Sequence, residues 1–298
     1  MSTVSALTNE LAQARESLAR RLSGVDPTDF AAMRRAYDSY AENDPMPEMS
    51  TMSEIDLGGV TSLGLLPKGC SGDHVILWLH GGGFTMGSSL SHKGLASQVA
   101  ATAKIAAIVP DYRLAPEHRH PAALDDCVQS YRAILGEGVQ ADRVILAGDS
   151  AGGGLVIATA LKLKEQGVAL PAGMILLSPW IDFANRGWSH AAKAQRDPFL
   201  TSTGLATRAK EYLGEGNLAL LDQDMRGLPP TFIQTGEAEI LMSDSTALAE
   251  RLGAAGVPVT LEIWPEMFHV FQARYPMLAQ ARSAIQRLGD WAAAHIAK

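Results

Sequence analysis

The 298-residue chain is 47% hydrophobic and 19% charged, enough apolar material for one large α/β domain or two ordinary ones with a sizeable core. Its net charge of −7, with no Lys/Arg run, excludes a phosphate-binding stripe and makes nucleic acid an unexpected partner. Cys70 and Cys127 fit neither a disulfide framework nor a zinc site, so a reducing, cytoplasmic setting is expected.

The first residues, "MSTVSALTNELAQARESLARRL", lack a basic segment followed by an apolar core and do not read as a secretory signal. No stretch reaches the length of a membrane span, so no stable membrane insertion is expected. Leu7, Leu11, Leu18 and Leu22 repeat at helical spacing, with Arg15, Glu16, Arg20 and Arg21 mostly off that stripe, and predict a helix that packs on the rest of the protein. Asp26 and Pro27 read as an N-cap and first-turn pair opening a second helix, whose apolar face is Phe30, Met33, Tyr37 and Tyr40. The Pro- and Met-rich "NDPMPEMSTMS" at 43–53 reads as a connector, and "SEIDLGGVTSLGLLPK" as two strands around Gly58 and Gly59.

Six apolar runs follow, each ending in a polar or glycine turn: "HVILWLHGGG", "KIAAIVPDY", "RVILAGDS", "GMILLSPW", "TFIQTGEAE" and "VTLEIWPE". Helical segments such as "PAALDDCVQSYRAIL", with Pro121 suited to a first helical position, and "GLVIATALKLKEQG" lie between them. Continuous apolar strands alternating with helices predict an α/β fold with a mostly parallel sheet flanked by helices. From 182 to 226 no strand-like run occurs, while "TSTGLATRAKEYLG" reads as a capped helix. With residues 1 to about 50, this excursion would form a helical lid over the strand ends.

Ligand sites in open α/β sheets lie beyond the carboxyl ends of the strands, and three such turns are chemically loaded. Gly148-Asp149-Ser150-Ala151-Gly152 matches G-x-S-x-G, in which small neighbours let a tight strand-to-helix turn project the serine oxygen. Ser150 could otherwise be an ordinary helix N-cap. His80-Gly81-Gly82-Gly83-Phe84 follows "VILWL"; amides of this glycine run, with that of Ala151, would bind a developing oxyanion. The same run lacks the Gly-Lys-Ser/Thr or G-x-G-x-x-G spacing of a phosphate loop.

The order serine, acid, histidine leaves His190, His269 and His295 as bases; His190 lies in the excursion before any acid-bearing strand and His295 is three residues from the C-terminus, which leaves His269 in "WPEMFHVF" after the last strand. Packed among Met267, Phe268 and Phe271, it could also be a core histidine. Glu237, Glu239 and Asp244 compete as the acid after "TFIQTG"; Glu239 is preferred, since Glu237 follows the strand closely and Asp244 with Ser243 could cap the next helix.

The set "HGGGF", "DYRLAPEHRHPA", "GDSAGG" and "FH", in that order from about residue 72 onward, resembles the bacterial hormone-sensitive-lipase family (family IV) of esterases within the α/β-hydrolase superfamily. The resemblance implies a serine carboxylesterase acting on small-molecule esters, with no cofactor or metal and often a homodimer. It also implies a two-segment cap, 1–50 and 182–226, over a catalytic domain at 51–181 and 227–298. Residue by residue, it places the nucleophile on Ser150, the base on His269, and oxyanion donors on Gly81, Gly82 and Ala151, with Gly83 in the same run. The usual D-P-L-x-D-[DE] pattern falls on Glu239-Ile240-Leu241-Met242-Ser243-Asp244, so glutamate stands where aspartate is usual and Ile240 replaces proline. Tyr112, Arg113 and Glu117 of "DYRLAPEH" would shape the site. An amidase, lactonase or carbamate hydrolase uses the same residues, and a receptor on a hydrolase scaffold usually lacks one of the three.

Overall fold

The computed structural model describes residues 3–296, with side chains described from residue 9 onward. Eight strands form one sheet: β1 (Met49–Asp56), β2 (Thr61–Pro67), β3 (Ser71–Leu79), β4 (Ile105–Pro110), β5 (Val144–Asp149), β6 (Gly173–Leu177), β7 (Thr231–Gly236) and β8 (Val259–Trp264). The sheet order is β1-β2-β4-β3-β5-β6-β7-β8, antiparallel only where β2 meets β1 and β4. All six apolar runs are strands, and from β4 onward the pairing is parallel.

Burial on both faces explains why these strands read as continuous apolar runs. In β3, Val75, Leu77 and Leu79 pack in one core while Ile76 and Trp78 pack in the other; β5 divides Val144 and Leu146 from Ile145 and Ala147 in the same way. One face is covered by α4 (Ala122–Gly136), α5 (Ala151–Glu165) and α8 (Met242–Ala254). The other is covered by α3 (Ser89–Ala103) and α9 (Ala279–His295).

Helix α1 (Thr3–Arg20) and α2 (Phe30–Ala41) precede the sheet. Leu18 of the leucine stripe is buried, Leu11 and Leu22 are half-buried, and the Leu7 side chain lies outside the described residues. Helix α2 starts later than Asp26: the Asp29 carboxylate accepts from the Ala32 amide and caps it, while Asp26 closes a preceding turn by accepting from the Thr28 amide at 2.8 Å. Similarly, β1 begins at Met49, so the connector is shorter than 43–53, and Pro121 occupies the cap of α4 rather than its first residue.

The 182–226 excursion contains α6 (Ser189–Ala192) and α7 (Ser202–Leu213), the latter capped by the Thr201 hydroxyl on the Gly204 amide. An isolated bridge between Asp182 and Ala219 closes its base. No helix among the described residues is long and apolar enough to cross a membrane.

Candidate active site

The turn after β5 is backbone-strained in the manner its sequence demands. Ser150 adopts φ 54° and ψ −120°, a left-handed-side conformation that a non-glycine residue avoids unless its surroundings impose it. Its side chain caps nothing, which removes the N-cap reading. Close packing accounts for the glycines: a Cβ on Gly152 would collide with the Leu79 carbonyl oxygen and lie 2.7 Å from that of His80. Helix α5 thus enters directly against β3, and Ser150 stands at the junction.

Ser150 Oγ lies 2.9 Å from His269 Nε2, although 119 residues separate them in the chain. On the far side of the ring, His269 Nδ1 lies 2.6 Å from Glu239 Oε2. A carboxylate only accepts, so Nδ1 carries the proton and Nε2 is left to accept from the serine hydroxyl. Glu239 is fully buried, and its other oxygen accepts from Ser178 Oγ at 2.8 Å, the Gly236 amide at 2.6 Å and Thr235 Oγ1. Those three donors fix the carboxylate's orientation. Ser178 Oγ in turn accepts from the Val270 amide at 3.0 Å, tying the acid to the residue after His269.

Burial disfavours the His269 imidazolium, but the hydrogen bond and charge of Glu239, backed by Asp197 and Asp149, outweigh it and hold the pKa above the ordinary histidine value. Sequence reasoning had no access to Ser178, Thr235 or Asp197, because none stands in a recognisable motif. Asp197 accepts from the Phe199, Leu200 and Ile240 amides, which pins the excursion to the residue following Glu239.

The other two acids have different partners. Glu237 binds Lys193 and Arg196 of the excursion. Asp244 is not a helix cap: its Oδ2 accepts from the Ile181 and Asp182 amides, both at 2.8 Å, and so anchors the start of the excursion. His190 sits 3.9 Å from Asp244 Oδ1, and exposed His295 bonds the Trp291 carbonyl at 2.9 Å; neither joins Ser150.

The glycine loop differs from expectation at one position. The Gly81 amide lies 3.2 Å from Asp149 Oδ1, so it is engaged within the protein and is not free to bind an oxyanion. Gly82 and Gly83 line the same cavity as Ser150 and His269, and the amides of Gly82, Gly83 and Ala151 have no protein acceptor among the described residues. Gly82 has φ 119°, and a Cβ there would overlap the Met86 carbonyl.

Asp149 also accepts from Trp78 Nε1 at 3.1 Å and from His92 Nε2 at 3.3 Å. Burial opposes its ionisation, but His92, Trp78 and His80 together hold its carboxyl below the usual range. His80 is stacked on Tyr112 with centroids 4.1 Å apart, and its Nδ1 donates to the Gly81 carbonyl. Burial, together with neighbouring His92, lowers its pKa to about 3, so it is a neutral spacer at pH 7.

"DYRLAPEH" shapes the loop from below: Tyr112 donates to the His80 carbonyl at 2.6 Å, Arg113 pairs with Asp126, and Glu117 pairs with Arg34 of α2. Arg34 also donates to the Thr85 and Ala115 carbonyls. The N-terminal helices are thereby fastened to the glycine loop.

The cavity holding Ser150 and His269 has a volume of about 210 Å³. Its walls include Leu18, Leu22 and Tyr37 from the N-terminal segment and Phe199, Leu205 and Arg208 from the excursion. No group of three or more His, Cys, Asp or Glu among the described residues is arranged to hold a metal.

Residues 76–273 match the family model of the α/β-hydrolase fold. The chain is 41% identical over 219 residues to an acetyl-hydrolase of Streptomyces hygroscopicus, covering 72% of this chain and 73% of that one. It is 32% identical over 267 residues to an esterase of Acinetobacter venetianus, covering 88% of each. The crystal structure of an esterase from the bacterial hormone-sensitive lipase family superposes with a TM-score of 0.94 at 36% identity, over 97% of this chain and 99% of that one.

Proposed function

The chain belongs to the α/β-hydrolase family, among the bacterial hormone-sensitive-lipase esterases, and is a carboxylic ester hydrolase; from that premise we propose that it cleaves short to medium acyl esters through an acyl-enzyme on Ser150. The observation that carries this reading is the unbroken line Ser150 Oγ, His269 Nε2, His269 Nδ1, Glu239 Oε2, at 2.9 Å and 2.6 Å, opening on a cavity.

In the proposed cycle, Ser150 Oγ attacks the ester carbonyl carbon as His269 Nε2 takes its proton. Glu239 stabilises the imidazolium. The carbonyl oxygen, now an anion, is held by the Gly82, Gly83 and Ala151 amides. Collapse breaks the carbon–oxygen bond to the alcohol, which leaves with the proton from His269. Water then attacks the acyl carbon with His269 again as base, releasing the acid and restoring the serine.

Segments 1–50 and 182–226 serve in this reading as the cap that walls the cavity. The test is Ser150→Ala assayed across p-nitrophenyl esters, amides and lactones. Turnover should fall at least ~10³-fold on esters with the circular dichroism spectrum unchanged. Ester turnover above about a tenth of wild type would overturn the proposal.

A further inference from the structure

Arg274, on the turn that follows His269, has a guanidinium that the fold leaves without an acceptor. The residue is 7% exposed and lines the cavity that holds Ser150; its side chain makes no hydrogen bond or ion pair among the described residues, and its buried Nε is unpartnered. The Tyr40 ring lies 4.5 Å from the guanidinium carbon. Arg21 lines the same cavity, stacked at 3.3 Å over Tyr37; its Nε is buried and unpartnered, while Nη2 donates to the Tyr37 carbonyl at 3.5 Å. Asp44 is the one carboxylate from the N-terminal segment lining the cavity; it forms no ion pair among the described residues, although its charge acts on both arginines. The lining thus carries Arg21, Arg208 and Arg274 against Asp44 and Asp149; of these Arg208 is already paired with Glu211 and Asp149 with His92.

A buried arginine is ordinarily paired, because its five N–H donors and its charge lose water on burial. Here the arrangement presents those donors to the space a substrate would fill, while Leu18, Leu22 and Leu95 supply an apolar wall beside them. Resting on the proposed function, we propose that the preferred substrate is an ester bearing a free carboxylate on the arm remote from the scissile bond, a half-ester of a dicarboxylic acid, with Arg274 and Arg21 receiving that carboxylate. Planar guanidinium matches a carboxylate through paired N–H donors. Burial and the nearby Arg21 charge pull the Arg274 pKa below its usual value, as expected of a cation awaiting a counter-ion.

The experiment compares kcat/KM for monomethyl glutarate and monomethyl adipate with methyl esters of matching length that end in a methyl group. Wild-type enzyme should prefer the half-ester at least tenfold, and Arg274→Gln should lose most of that ratio while Arg274→Lys retains part of it. A wild-type ratio at or below one overturns the inference. So does an Arg274→Gln variant with the preference intact. If that variant does not fold, the wild-type ratio and competitive inhibition by glutarate against butyrate decide: equal inhibition overturns the inference. Failure of the underlying reading looks different, since neither ester would then be hydrolysed in a Ser150-dependent manner.

Discussion

The Gly81 amide donates to the Asp149 carboxylate at 3.2 Å, which fastens the glycine loop to the residue before Ser150. With Trp78 Nε1 and His92 Nε2 on the same carboxylate, Asp149 holds three segments around one point. Asp149→Ala should destabilise the fold by about 3 kcal/mol, since it strands the Trp78 and Gly81 N–H groups in the core. Because the folded-state pKa is depressed, the stabilisation is fully present above the ordinary aspartate value of ~3.9 and is lost as pH falls through the folded value. Urea unfolding at pH 7 measures it; a change under about 1 kcal/mol would contradict the role.

Glu239→Gln should be far more damaging than Asp244→Asn. Ser178, Thr235 and the Gly236 amide all donate to one oxygen of Glu239, so a glutamine would keep its carbonyl there and turn its NH2 toward His269 Nδ1. Nδ1 must then accept, the proton moves to Nε2, and the ring can no longer take the Ser150 proton. A fall of roughly 10⁴ in kcat is expected, the cost of the wrong tautomer in serine hydrolases of this design. Asp244→Asn keeps an acceptor for the Ile181 and Asp182 amides and should change kcat less than about threefold. Steady-state kinetics of both variants rank them; the reverse order would move the acid to Asp244.

The acid limb of the pH profile follows from the raised His269 pKa. A base is active only when neutral, so kcat/KM should fall as pH drops through a midpoint above the ordinary value of ~6.5. Residual activity of Glu239→Gln should show that midpoint shifted down, since the carboxylate that favours the imidazolium is gone. A wild-type profile flat to pH 5 would contradict a histidine base.

Gly82→Ala should lower kcat at least ~100-fold. The added methyl overlaps the Met86 carbonyl and must displace the loop whose free amides face the cavity. Each oxyanion donor contributes about 3 kcal/mol to the transition state, so a small displacement is costly. Unchanged kcat would place the oxyanion donors elsewhere.

A cavity of about 210 Å³ walled by α1, α2 and the excursion sets a limit on the acyl chain. Each methylene gains ~0.8 kcal/mol of transfer free energy until the wall is met. Across p-nitrophenyl acetate to palmitate, kcat/KM should peak at short to medium chains and fall steeply beyond. A maximum at palmitate with activation at an emulsion interface would contradict this size limit.

Much of this was legible in the sequence because strands buried on two faces must be apolar throughout, and because a serine at a strand-to-helix junction requires glycine around it. The six parallel-sheet strands and the turn at Ser150 followed from those constraints, whereas His269 and Glu239 were placed by the order serine, acid, histidine and by the family resemblance. Helix α3 did not announce itself: Ser89, Gly94, Ala96, Ser97 and Ala100 are small and buried, so no polar face marks a helical period. Gly81 was misjudged because its partner, Asp149, lies 68 residues away and only the folded chain brings them together. The Asp26 cap failed for a local reason, since Asp29 offers the same chemistry three residues later, directly before Phe30. Arg274 carried no signal at all; a single arginine near the C-terminus becomes notable only once its burial is known.

The most direct measurement is covalent labelling with a serine-directed phosphonate, followed by peptide mass spectrometry of wild type and Ser150→Ala. One adduct per chain, on the peptide containing Ser150, and none in the variant is the predicted result. An adduct on another serine, such as Ser178 beside Glu239, or labelling that persists in Ser150→Ala, would contradict the assignment of the nucleophile.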